Sequence, residues 1–145
     1  MTPETTWIVV ADGAMARFFY RARPEIRLEE LADLKLTAEQ ARHMHGHATV
    51  VRDGANHGSH VRREQHDGHD AEEQHFLAHI AGRINLAATE NAYGRLAICA
   101  PPRALGVLRN HLTDAARSRV VIEIAKDIVR DKLRDIDDRM RENNI

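Results

Sequence analysis

The 145 residues carry 21 Lys+Arg, 22 Asp+Glu, 10 His and one Cys, a formal net charge of −1. One Cys excludes an internal disulfide framework, and near-zero charge gives DNA or an anionic membrane no whole-molecule field to respond to. No apolar run approaches the ~20 residues that span a bilayer, and the first residues lack the basic-then-apolar pattern of a signal peptide. The expectation is a single cytoplasmic domain over residues 1–145 that makes no membrane contact.

Taken in chain order, Trp7-Ile8-Val9-Val10-Ala11 is apolar without alternation, the pattern of a central strand covered on both faces. Asp12-Gly13 is a tight-turn pair, and Ala16 to Tyr20 follows as a second strand. Residues 26–36 predict a third strand, because Glu25, Arg27 and Glu29 alternate with Ile26 and Leu28. Leu28, Leu31 and Leu34 also fit a helical stripe, so a helix is the alternative there.

Nine of the ten His lie between His43 and His79, and no Leu, Ile, Phe, Trp or Tyr occurs from Thr37 to His75. Residues 38–70 therefore read as a His-rich exposed connector that contributes little to a core. Phe76, Ile80, Ile84 and Ala87 then mark one face of a helix from Ala71 to about Asn91, with Asp70 as N-cap. Leu96 to Ala100 is a buried strand stopped by Pro101-Pro102. Leu105, Leu108, Leu112 and Ala116 face inward from the next helix. Val120 to Ile124 is a strand, and Asp127 to about Glu142 a last helix with Val129, Leu133, Ile136 and Met140 inward. On its outer face Asp135–Arg139 and Asp137–Arg141 pair at i, i+4. The order β-β-β-α-β-α-β-α predicts an α/β fold with a five-stranded mixed sheet, Trp7–Ala11 at its centre.

Three blocks resemble the bacterial host attachment protein family: Trp7 to Phe19, Leu96 to Arg109, and Val121 to Ile128. Ala100-Pro101-Pro102-Arg103-x-Leu105-Gly106-x-Leu108-Arg109 is the most specific of them. The family is similar to the middle domain of class-I release factors and of Pelota. The resemblance implies a single-domain, three-layer ribonuclease-H-like fold, contact with RNA, the ribosome or a protein partner, and an indirect effect on host attachment. Release activity depends on a Gly-Gly-Gln loop, and this sequence has no Gly-Gly pair.

A non-enzymatic binding protein is the first reading. Its expected ligand-binding residues are Asp12, Arg17, Arg103, Arg109 and Lys126, with Arg103 in a helix first turn beside Asp12. Ordinary surface pairing is the plain reading of the same charges. The alternative function is a metal-dependent hydrolase built on the connector, with His43, His45, His47, His66, His69, His75 and His79 as candidate ligands. Their spacings match no established zinc motif. No cofactor is expected, although adventitious zinc or nickel binding is. Cys99, within a buried strand, reads as an inert thiol.

Overall fold

The computed structural model describes residues 4–44 and 61–145, and side chains within the second stretch from residue 68 onward. Strand β1 (Thr6–Ala11) is buried along its whole length, as its uninterrupted apolar sequence requires. A turn at Asp12 returns the chain antiparallel as β2 (Met15–Arg21), in register from Thr6↔Arg21 to Ala11↔Ala16. Two short strands, β3 (Glu29–Glu30) and β4 (Leu36–Thr37), both pair with β2.

Helices α1 (Ala38–Met44) and α2 (Val61–Thr89) follow. Next come β5 (Arg95–Cys99), α3 (Pro102–His111), α4 (Asp114–Arg117), β6 (Val120–Ile124) and α5 (Leu133–Glu142). Among the described residues this is a mixed sheet of six strands with five helices, ordered β3-β2-β1-β5-β6, with β4 also on β2. Strand β1 is central and parallel to β5, which is parallel to β6.

The alternation of β1 and β2 divides the core into two layers. Trp7, Val9, Phe18, Leu96 and Ile98 meet Phe76, Ile80 and Ile84 of α2 and Leu105 and Leu108 of α3. Ile8, Val10, Phe19, Ala97 and Cys99 meet Ile136 and Met140 of α5. Trp7 lies edge-on to Phe18 and tilted against Tyr93, whose hydroxyl donates to the Ile84 carbonyl. Burial pushes the Tyr93 hydroxyl up to about 12. The edge strand β6 carries a bulge at Val121, so Val120 packs toward the α2/α3 layer and Ile122 toward the α5 layer. A bulge of this kind blunts a sheet edge against pairing with another strand.

Four expectations are corrected. The predicted third strand over 26–36 is split: a 3₁₀ turn at Ala32–Leu34 separates β3 from β4, raising the strand count from five to six, and the helical alternative is limited to that turn. Helix α2 begins at Val61, so Asp70 is an interior residue and not a cap; α1 and the start of α2 occupy both described ends of the predicted connector, while residues 45–60 lie outside the described residues. The helix carrying Leu105 and Leu108 stops at His111, because Leu112 is extended and Thr113 caps α4 by accepting from the Ala116 N–H. The last helix starts at Leu133, not Asp127. The Val129 and Asp131 carbonyls accept from Arg17 Nη1 at 2.9 and 2.6 Å, and Lys132 is extended. A helix from Asp127 would need those carbonyls for its own i→i−4 bonds.

Candidate functional site at the carboxyl edge

Because β1, β5 and β6 are parallel, Asp12, Pro101 and Lys126 all follow strand ends on one edge of the sheet. Open α/β sheets bind ligands at such edges. The edge carries a cleft of about 210 Å³ between α2 and α3. Its apolar wall is Leu77, Pro101, Ala104 and Val107, and its polar wall is Asp70, Glu73, Gln74 and Arg103. The α2 contribution, Asp70, Glu73, Gln74 and Leu77, is an i, i+3, i+4, i+7 face. Gly13 closes the cleft at the β1 turn. A Cβ there would stand 2.7 Å from the Glu73 carboxyl carbon, so only glycine lets that carboxylate lie against the turn.

The five expected ligand-binding residues fall in different surroundings. Asp12 Oδ1 accepts from the Ala14 and Met15 N–H groups, both at 2.8 Å, so its carboxylate shapes its own turn. Arg103 therefore does not pair with Asp12; it meets Asp70 at 3.0 Å on the rim of the cleft. Arg109, farther along α3, is paired with Glu123 of β6. Lys126 is exposed at the edge.

Arg17 lies on β2, away from the cleft. Besides the Val129 and Asp131 carbonyls it holds Glu30 with two hydrogen bonds, at 2.9 and 3.1 Å. These bonds hold the Glu30 carboxyl below its ordinary range, against an opposing effect of burial. A depressed carboxylate adds stability that is complete above its unfolded pKa of about 4.3 and is lost as pH falls through the folded value. Replacing Glu30 with Gln is expected to flatten the acid limb of a Tm-against-pH curve below about pH 4.5. An unchanged limb would assign acid unfolding to other carboxylates.

The imidazoles do not converge within the described residues. His43 is exposed on α1. His45, His47 and the side chain of His66 lie outside the described residues. His69 is exposed and 3.3 Å from Glu73, His75 is exposed, and His79 is half-buried. Among the described residues no group of three or more His, Cys, Asp or Glu is placed to hold a metal ion. Cys99 is buried in β5, and burial pushes its thiol up to about 12, far from a reactive thiolate at neutral pH.

Sequence reasoning missed Asp70, Gln74, Leu77 and Val107 as cleft residues. The i, i+3, i+4, i+7 spacing of the α2 set was the available signal, hidden by placing the helix start after Asp70. Among the described residues no helix is long and apolar enough to cross a membrane.

No curated protein matches the chain. A family model described as "protein required for attachment to host cells" matches residues 7–140, which takes in β1 from Trp7, both walls of the cleft and α5 as far as Met140. With nearly its whole length matched, the chain belongs to the host attachment family.

Proposed function

We propose that the chain is a non-enzymatic, cytoplasmic binding protein that seats a protein partner in the carboxyl-edge cleft, and that its effect on host attachment is indirect. The observation carrying this reading is the cleft's composition: an apolar wall facing a polar wall whose one cation, Arg103, is already paired with Asp70 and whose remaining charge is the Glu73 carboxylate. A phosphate backbone needs uncommitted cations. Arg17, Arg103 and Arg109 are each held by a carboxylate. A protein side chain needs apolar surface with a polar rim, and about 210 Å³ is the scale of one or two side chains.

RNA or ribosome contact is the second reading, and exposed Lys126 on the same edge favours it. The likeness to release-factor middle domains belongs with this reading. The β1–β2 hairpin with parallel β5 and β6 added to it supports a ribonuclease-H-like layer.

Affinity capture from the native cell, with and without ribonuclease, tests the two. Val107 is half-buried in the cleft wall and packs against the core, so Val107→Glu adds a charge there and is used with an unchanged Tm as the check on its fold. The expected result is a protein captured in the presence of ribonuclease and lost with Val107→Glu. Capture abolished by ribonuclease or by Lys126→Glu, and indifferent to Val107→Glu, would replace the first reading with the second.

A further inference from the structure

The exposed side of α5 carries a charge order that its own helix disfavours. Arg130, Arg134, Asp138 and Glu142 recur every four residues and are all exposed. Arg130 lies in the turn before α5, and the other three spread over an arc of about 80° on the helix. Cations precede anions along this stripe, whereas the helix dipole favours the reverse. The other sides of α5 follow the dipole, with Asp135 in the first turn and Arg139 and Arg141 in the last. Among the described residues none of the four stripe residues forms an ion pair within 4.0 Å.

Arg134 and Asp138 also line a cavity of about 670 Å³ between α5 and the 22–28 loop, with Leu133 beside them. The loop is fixed over α5 by Arg141, which donates to the Pro24 and Ile26 carbonyls. The side chain of Ile26, in contrast, is 43% exposed. The surface thus combines a fixed wall, an exposed apolar residue and unpaired charges of both signs.

A stripe that is positive in its first half and negative in its second is complementary to itself when reversed. We infer that α5 docks antiparallel against α5 of a second copy across a two-fold axis level with Ile136. Arg134 then faces Asp138 of the other copy, Arg130 faces its Glu142, and each contact occurs twice, as an isologous interface requires. Antiparallel helices also set opposite dipole ends side by side. The bulge in β6 makes that free edge a poorer surface for strand pairing with a second copy. This inference is independent of the partner proposed for the carboxyl-edge cleft.

Sedimentation equilibrium tests it through charge swaps. The wild-type chain is expected to dimerise with concentration, and less so in added salt. Arg134→Asp and Asp138→Arg each turn two attractions into two repulsions, and each is expected to raise the dimer Kd about tenfold or more. The double variant restores the pairs in mirror image and is expected to recover wild-type dimerisation. Mixing the two single variants is expected to give a one-to-one heterodimer. All these positions are exposed, so an unchanged Tm verifies the fold. A wild-type chain that stays monomeric at every concentration overturns the inference. So do single variants that dimerise as the wild type does, or a folded double variant that fails to recover.

Discussion

Asp137→Ala is expected to lower stability by about 3–5 kcal/mol, a fall in Tm of about 10–15 °C for a chain of this size. Arg21, at the end of β2, is only 1% exposed, and Asp137 on α5 is 8% exposed. Their contact is Arg21 Nη2 to Asp137 Oδ1 at 3.1 Å. Arg141 Nε meets the same oxygen at 3.3 Å, and the Leu28 N–H reaches the other oxygen at 3.5 Å. Burial pulls the Arg21 guanidinium below its ordinary value, and Asp137 opposes that pull. Removing the carboxylate leaves a buried cation with only the Ile26 carbonyl, 3.2 Å from Nη1, to hold it. The penalty is chiefly that stranded charge, not the worth of the pair. Arg141→Ala, which removes a 45%-exposed partner, is therefore expected to cost about 1 kcal/mol or less. Replacing Arg21 and Asp137 together by Met and Leu is expected to recover most of the Asp137→Ala loss. Equal costs for Asp137→Ala and Arg141→Ala in urea unfolding would show that desolvation of Arg21 does not set the energy.

The same residues show where the fold was legible in sequence and where it was not. β1 and β5 were readable because they are covered on both faces, so every side chain reports its burial. The outer pairing of α5 was half-readable. Asp137 and Arg141 do meet at i, i+4, but Asp137 is buried under the 22–28 loop, and Asp135 and Arg139 form no ion pair among the described residues. A helical period shows which residues share a face; it does not show that a loop from another part of the chain covers it.

The start of α2 was invisible for the opposite reason. Residues 61–70 hold Arg, Glu and Gln, which favour helix without marking an apolar stripe. The start of α5 was set by Arg17, 112 and 114 residues earlier in the chain than the two carbonyls it engages. At the candidate site, the shared edge of Asp12 and Arg103 followed from strand direction. Their pairing did not, because local backbone N–H groups claim Asp12 first.

Arginine usage has a structural account that composition could not give. Arg17, Arg21, Arg83, Arg117, Arg119 and Arg141 all donate to backbone carbonyls, and most of these carbonyls lie in loops or just beyond helix ends. A guanidinium can hold two acceptors at once in a fixed plane, which a lysine ammonium does not reproduce. Eighteen of the 21 basic residues are arginine; of the six named, Arg17 and Arg21 fasten loops to the sheet, and the other four tie helices and turns to neighbouring segments.

Phe18→Ala and Phe19→Ala are each expected to cost about 3–5 kcal/mol, and to loosen different helices. The two residues are adjacent on β2 and both fully buried, but a strand sends successive side chains to opposite faces. Phe18 enters the layer beneath α2 and α3, edge-on to Trp7 with ring centroids 6.0 Å apart. Phe19 enters the layer beneath α5, where the Arg17 guanidinium stands 4.9 Å over its ring. The Phe18 layer is larger and closed mainly by α2 and α3, with Ala41 of α1 and Ala116 of α4 also in it, so a cavity there has more neighbours to relax into it. The Phe19 layer is closed by ten-residue α5, whose docking also depends on the Asp137 contact, together with Leu28, Ile128 and Val129 of the flanking loops. Native-state hydrogen exchange separates the two effects. Phe18→Ala should raise exchange in α3 and the second half of α2, leaving α5 near the global value. Phe19→Ala should release α5 ahead of global unfolding, because Phe19 is the largest strand side chain in the layer beneath that helix. Identical exchange patterns in the two variants would mean that the layers unfold as one unit and that the sheet does not insulate one face from the other.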